Sequence, residues 1–148
     1  MSTDDDEGLR AADPGKPTLG EIPADECLAL LATKRVGRLV VVVADEPDVF
    51  PVNYLVDGTN IVFRTAYGKK LTQSVLQRVA FEVDHIDEER REGWSVVLRG
   101  VGEEITEDLA DRTAQGRNEI LVAWASGAKD RWVRVIPRII TGRRLTRY

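Results

Sequence analysis

The chain has 148 residues, a hydrophobic fraction of 43% and a formal net charge of −4. This length suits one domain with a buried core, and no apolar run approaches the ~20 residues of a membrane-spanning helix. A general nucleic-acid binder usually presents a basic face, which the net negative charge argues against. We therefore expect a globular protein that neither spans a membrane nor binds nucleic acid.

The N-terminal region and the cysteine content predict a cytoplasmic protein. The opening MSTDDDEGLR lacks the basic and apolar regions of a secretory signal. Cys27 is the only cysteine, so no internal disulfide can form, which fits a reducing compartment. Residues 1–19 have little apolar content and are predicted to be a disordered acidic arm, followed by a single domain over residues 20–148.

The first predicted elements are a helix and a strand. The helix covers PADECLALLATKRVG (23–37), in which Pro23 suits the first turn and Gly37 is a plausible stop. The valine-rich run RLVVVV (38–43) is typical of a buried strand.

A β-hairpin is the clearest local prediction. Two alternating runs in residues 48–65 flank the turn-like sequence Asp-Gly-Thr-Asn at 57–60. If Val56 pairs with Ile61, then Tyr54 lies opposite Phe63 and Asn53 lies opposite Arg64. Asn53 and Arg64 would then share one face at the open end of the hairpin, where a ligand could be held.

The remaining elements are predicted to be mostly strands. They are a short helix in KLTQSVLQR, strands in RVAFEVDHID and GWSVVLRGVGEEI, a short helix in EDLADRTAQG and a last strand in RWVRVIPRIITGRRL. Leu71, Val75 and Leu76 are predicted to share a face of the first of these helices. Strands separated only by short helices favour a mainly β protein, an antiparallel barrel with flanking helices.

The segment FRTAYGKKL (63–71) concentrates positive charge where a strand gives way to a helix. Free amides at a helix N-terminus, together with Arg64, Lys69 and Lys70, would suit a dianionic phosphate. Gly68 would allow close backbone approach. A solvated basic turn has the same spacing, so the two interpretations remain open at this point. Neither GxxxxGK[ST] nor GxGxxG occurs in the chain.

Other candidate sites are weaker. His85 is the only histidine, and no GxSxG nucleophile motif is present. With one histidine and one cysteine, no ligand set with recognisable metal-binding spacing occurs, so no metal site is predicted. Trp94 and Ser95 could present a ring and a hydroxyl to a planar ligand, or Trp94 could belong to the core.

The ordered segments of the chain resemble the pyridoxamine 5'-phosphate oxidase-like flavoproteins. The resemblance covers about residues 21–145 and rests on PVNY before the hairpin, RT…GKKL after it, FEVD, WSVVLRG and TGRR. It implies a split β-barrel that forms a homodimer, with flavin mononucleotide (FMN) bound between the subunits.

The resemblance also implies which residues contact the cofactor. The flavin ring would lie against Pro51, Val52 and Asn53. The phosphate would be held by Arg64, Thr65 and Lys70. Gly68, Lys69 and Leu71 belong to the same segment. In similar proteins a small polar residue often occupies the position of Lys69. The other subunit would contribute Trp94, Ser95 and Val96.

The activity implied is that of an FMN-dependent oxidoreductase acting on an unknown small molecule, with no catalytic residue identified. The chain keeps Arg134, Pro137 and Arg138 but lacks the terminal aromatic pair of the vitamin B6 enzymes, which argues against pyridoxamine phosphate oxidase activity itself. A deazaflavin-dependent reductase on the same fold, and a non-catalytic flavin- or haem-binding module, are the alternatives.

Overall fold

The computed structural model describes residues 18–65, 69–105 and 131–146. These residues form seven strands and two short helices. In chain order they are β1 (Thr18–Ile22), α1 (Ala24–Leu31), β2 (Val36–Val43), β3 (Glu46–Asp57), β4 (Asn60–Thr65), α2 (Lys69–Ser74), β5 (Arg78–Asp87), β6 (Glu92–Ile105) and β7 (Arg131–Thr146). Neither helix in this part of the chain is long and apolar enough to cross a membrane.

The strands form one antiparallel sheet that closes on itself. The order is β1-β7-β4-β3-β2-β5-β6, and β6 also pairs with β7, so β2 to β7 form a six-stranded barrel. The long strand β7 pairs with β6 along one edge. Its other edge pairs with β4 near Arg131 and with β1 near Thr146. The predicted split β-barrel is therefore confirmed.

The barrel interior is a continuous apolar core. Its largest fully buried side chains are Tyr54, Phe63 and Phe81, and the Tyr54 and Phe81 rings pack edge to face with centroids 5.0 Å apart. The Tyr54 hydroxyl donates a hydrogen bond to the carbonyl of Leu31, the last residue of α1. The hairpin thus fastens α1 across one end of the barrel.

The predicted hairpin register is confirmed over the paired residues. Val56 lies opposite Ile61 and Tyr54 lies opposite Phe63. The β3–β4 ladder ends there, one residue before Asn53 and Arg64. Asn53 pairs instead with Val36 of β2, while Arg64 pairs with Trp132 of β7.

The helices are shorter than predicted. α1 ends at Leu31, because the next turn is tightened by a hydrogen bond from the Thr33 N–H to the Leu30 carbonyl, and β2 begins at Val36. α2 ends at Ser74, and Leu76 is 79% exposed with a positive φ of 57°, so its predicted place on the apolar helix face is wrong. The predicted helix in residues 107–116 lies outside the described residues.

Strand β1 was not predicted, and it begins at Thr18, within the segment assigned to the N-terminal arm.

On β7, the close packing of β1 and α1 requires a residue without a side chain. A Cβ added at Gly142 would lie 2.5 Å from the sulfur of the buried Cys27. The glycine of the TGRR segment therefore serves packing.

Candidate cofactor site

A second apolar cluster lies on the outside of the barrel. It consists of Leu55, Val62, Ile105 and Trp132, all at most 7% exposed. These side chains come from β3, β4, β6 and β7, on the face of the sheet opposite to the core. Because these side chains are already covered, the cluster is a second small core beneath the outer face and not an exposed apolar patch.

Arg64 lies beside this outer cluster. Its guanidinium carbon is 5.6 Å from the centroid of the Trp132 ring, its partner in the β4–β7 ladder. The Arg64 Nε is buried and has no hydrogen-bond partner among the described residues. The amide nitrogen Nδ2 of Asn53, on the adjacent strand, is buried without a partner in the same way.

Two unpaired buried donors on neighbouring strands are unusual. A buried polar group without a partner costs about 1–3 kcal/mol, and most such groups in folded proteins have one. An acceptor-rich ligand, such as a phosphate or a ring carbonyl, would supply the missing partners of Asn53 and Arg64. The site predicted at the open end of the hairpin therefore has the chemistry of an anion or carbonyl site.

The other predicted cofactor residues divide by face and position. Five of them have buried side chains: Val52, Thr65, Leu71, Trp94 and Val96. All of these except Thr65 belong to the core cluster inside the barrel. An external ligand could therefore contact those four mainly through their backbone groups. Pro51 is exposed and Ser95 is partly buried. Lys69 and Lys70 begin α2, and Gly68 lies outside the described residues.

The segment Trp94–Val96 lies far from Arg64 within one chain. Around the barrel, Arg64 on β4 leads through Asn53 on β3 and Val36 on β2 to β5, where Asp84 pairs with Ser95 on β6. These four strand spacings place Ser95 up to roughly 20 Å from Arg64. One copy of the chain does not bring the two groups together, and the resemblance assigns this segment to the other subunit.

Gln73 is a candidate that sequence reasoning missed. It is 8% exposed, and its Oε1 is a buried acceptor without a partner among the described residues. Its position three residues after Lys70 was the signal in the sequence that could have pointed to it.

A charged cluster lies on the outer face of β2 and β5. Arg38 Nε donates to Glu82 Oε1 at 2.8 Å, and Arg38 Nη2 lies 3.2 Å from Asp84 Oδ2. Burial, followed by the hydrogen bond with Asp84, raises the pKa of Glu82, although Arg38 acts in the opposite direction. The hydrogen bond to Glu82 raises the pKa of Arg38. Arg38 is two residues from Val36, the partner of Asn53, so this cluster borders the candidate site.

Potential metal and haem ligands are poorly placed in the described part of the chain. No group of three or more His, Cys, Asp or Glu side chains there could share a metal ion. His85 is exposed, with its Nδ1 2.9 Å from Lys34 Nζ. Cys27 and Tyr54 are buried in the core, where burial raises the pKa of each. None of these three side chains faces the candidate site.

Comparison with known proteins identifies the family of the chain. The family model described as pyridoxamine 5'-phosphate oxidase matches residues 23–144. An uncharacterised protein of Mycobacterium tuberculosis is 34% identical over 131 residues, which cover 84% of this chain and 84% of that protein.

Solved structures show the same relationship. The FAD binding protein from Mycobacterium smegmatis is 34% identical, with a TM-score of 0.66 over 86% of this chain and 98% of that one. An FAD-binding protein from Mesorhizobium loti, at 23% identity, shares the fold with a TM-score of 0.75 over 88% of this chain and 99% of that one. The chain therefore belongs to the pyridoxamine 5'-phosphate oxidase family.

Proposed function

We propose that the chain is a flavin-binding oxidoreductase that acts on a small molecule. The observation that carries the proposal is the pair of unpaired buried donors, Asn53 Nδ2 and Arg64 Nε, beside the outer apolar cluster. The 34%-identical protein from M. smegmatis is described as binding FAD, which supports a flavin as the ligand.

The residues present fit a flavin nucleotide. Such a ligand combines a planar, largely apolar ring carrying carbonyl oxygens with an anionic phosphate. Asn53 offers an amide donor, and Arg64, which packs against the buried outer cluster, offers a guanidinium whose planar fork suits phosphate oxygens. We assign the phosphate to Arg64, Thr65 and Lys70, with Gly68, Lys69 and Gln73 nearby, and the ring to Pro51–Asn53.

The division of chemistry follows from this assignment. When bound, a flavin supplies reversible acceptance of a hydride or of single electrons. The chain's own residues bind and orient it: Arg64 neutralises negative charge, Asn53 donates to an acceptor, and Trp132 with its apolar neighbours excludes water from one side. No described side chain near the site is assigned as a general acid or base.

The site is proposed to be completed by a second copy of the chain. The separation of up to roughly 20 Å around one barrel between Arg64 and the segment 94–96 supports this proposal. A homodimer in which each subunit contributes the segment 94–96 to its partner's site would unite them. We further propose that this dimer works in the cytoplasm.

Ligand binding tests the function directly. The purified protein is titrated with FMN, FAD and a deazaflavin, and binding is followed by quenching of cofactor fluorescence and by the visible spectrum. The expected result is saturable binding of FMN or FAD. Arg64→Ala is expected to weaken that binding at least tenfold, because a charge-assisted hydrogen bond to the ligand is lost. Asn53→Ala is expected to have a smaller effect.

The matched control is Arg91→Ala, which removes an exposed arginine from the turn between β5 and β6. This variant should bind as the unmodified protein does. If Arg64→Ala left the affinity for FMN and FAD unchanged, the proposed site would be wrong. Binding of the deazaflavin alone would replace the proposal with the deazaflavin-dependent alternative.

Light scattering tests the dimer independently. A mass of two chains is expected, and a mass of one chain would contradict the shared site. Substrate-dependent bleaching of the bound flavin under anaerobic conditions tests the oxidoreductase assignment. A flavin that binds but is reduced by no nicotinamide donor and oxidised by no acceptor would favour a non-catalytic module.

A further inference from the structure

A groove of about 410 Å³ lies on the outer face of the barrel, away from the candidate cofactor site. It runs across β2, β5, β6 and β7, and its walls include Val40, Val42 and Ile139. Val40 is four residues along β2 from Val36, the partner of Asn53, which corresponds to roughly 13 Å. The charged cluster around Arg38 lies between the two sites.

Three arginines surround this groove. Arg78, Arg99 and Arg138 come from three different strands, and all three are exposed. Within the described residues, none of them forms an ion pair. A cluster of like charges without counter-ions among the described residues is unfavourable and favours a bound anion.

Neighbouring arginines on β7 behave differently. Arg131, Arg134 and Arg144 each pair with a glutamate, the first with Glu104 at 2.8 Å. Arg143 on the same strand and Arg91 also form no ion pair within the described residues, so the groove is distinguished by three such arginines that line one cavity.

The backbone of β7 places Arg138 at the groove. Arg99 lies opposite Ile139, but the next pair is Gly100 with Pro137, so Arg138 is an extra residue in a β-bulge. A Cβ at Gly100 would lie 2.0 Å from the Ile136 carbonyl oxygen, so the bulge requires glycine at this position. The bulge turns both Arg138 and Ile139 outward, and bulges commonly redirect side chains in this way near binding sites.

The groove between these arginines is apolar. Val42 is 57% exposed and Ile139 is 55% exposed, which leaves aliphatic surface in water. The volume falls within the range of small-molecule sites. A second copy placed symmetrically over the centre of the groove would bring its own three arginines against these three, which opposes that arrangement.

We infer that this groove binds a small organic anion with an aliphatic body, such as a medium-chain carboxylate. The head group would lie among Arg78, Arg99 and Arg138, and the hydrocarbon would cover Val40, Val42 and Ile139. This inference does not depend on flavin binding, since the two sites share no residue.

Calorimetric titration with decanoate tests the inference, with acetate and 1-decanol as probes of the head group and the body alone. The expected result is saturable binding of decanoate that weakens with added salt, and affinities at least tenfold lower for acetate and decanol. Chemical-shift changes in amide spectra should centre on Ala80, Gly100 and Ile139.

Variants locate the site. Arg99→Gln and Arg138→Gln are each expected to weaken decanoate binding about tenfold through loss of a charge-assisted hydrogen bond, whereas Arg91→Gln should leave it unchanged. The exposed arginines are not needed for the fold, so circular dichroism and melting curves should stay the same.

Three outcomes would overturn the inference. The first is no saturable binding of decanoate, and the second is equal affinity for decanoate and decanol. The third combines two results: Ile139→Ser lowers the mass measured by light scattering from two chains to one, and the arginine variants bind decanoate as tightly as the unmodified protein. The groove would then be a surface that a second copy of the chain covers.

Discussion

Buried polar groups on the inner and outer faces of the barrel differ in whether the described residues supply them with partners. Polar groups on or beside the inner face have protein acceptors: the Tyr54 hydroxyl donates to the Leu31 carbonyl, and the Cys27 sulfur lies 3.5 Å from the Ile22 carbonyl oxygen. On the outer face, Asn53 and Arg64 have buried donors without partners in the described structure. The inner face therefore contributes to folding stability, whereas a ligand on the outer face would stabilise the protein by supplying the missing partners of Asn53 and Arg64.

The largest expected effect comes from truncating the core. Phe81 is fully buried and packs against Tyr54, so Phe81→Ala should lower the free energy of unfolding by about 3–5 kcal/mol. Urea denaturation measures this change, and the milder Phe81→Leu keeps the experiment informative if the alanine variant does not fold. Arg64→Ala is the outer-face control and should change stability by less than about 1 kcal/mol. An equal decrease in the free energy of unfolding in both variants would contradict this distinction between the two faces.

A smaller loss is expected from overpacking between the barrel and α1. In Gly142→Ala the new methyl group would lie 2.5 Å from the Cys27 sulfur and 3.1 Å from the Ile22 Cβ, which should cost about 1–3 kcal/mol. Gly20→Ala is the matched control, because a Cβ there would have no atom within 4 Å. Thermal melting compares the two. A Gly142→Ala protein as stable as Gly20→Ala would contradict the packing described for α1.

Removing the hydroxyl of Tyr54 should cost about 1–2 kcal/mol, because the Leu31 carbonyl loses its donor. Burial raises the pKa of Tyr54, so the folded state keeps the phenol proton after the unfolded chain has lost it. The unmodified protein should therefore lose stability as the pH rises above about 10, the ordinary value for tyrosine. Tyr54→Phe should show a shallower decline in denaturation experiments between pH 9 and 11. An identical decline would mean that the phenol ionises in the folded state.

The smallest effect is expected on the outer face at Glu82. Because its pKa is raised above the ordinary 4.5, the folded state holds its proton more tightly than the unfolded chain does. Stability from this group is present at low pH and is lost as the pH rises from about 4.5 through the folded pKa. Glu82→Gln should flatten that part of the pH profile, with a change below about 1 kcal/mol because the side chain is partly exposed. A profile that keeps its full slope would assign the effect to another carboxylate.

Local patterns in the sequence predicted much of the fold. The hairpin register followed from the turn at 57–60 and the alternation on either side, and the valine run predicted β2. Strand β1 could not be recognised, since TLGEI has weak strand character and is held by pairing with β7 from the far end of the chain. The end of α1 was misjudged for a similar reason, because the position of Tyr54 relative to Leu31 depends on the closed barrel.

The candidate site was predictable only in part. Arg64 and Asn53 share a face because of hairpin register, which sequence can show. Placing Arg64 against Trp132 requires the pairing of β4 with β7, and the bulge at Arg138 requires the registry between β6 and β7. Both are pairings between distant segments, which no local pattern encodes.

The position of β7 has a consequence for how the barrel is made. The ribosome synthesises residues 131–146 after every other described strand, yet β1, β4 and β6 all pair with them. The barrel cannot close until β7 has left the ribosome, and such long-range pairing is slow to form. Until β7 is available, β4 and β6 present unpaired edges, which are templates for aggregation. We therefore expect the nascent chain to depend on chaperone protection until β7 inserts.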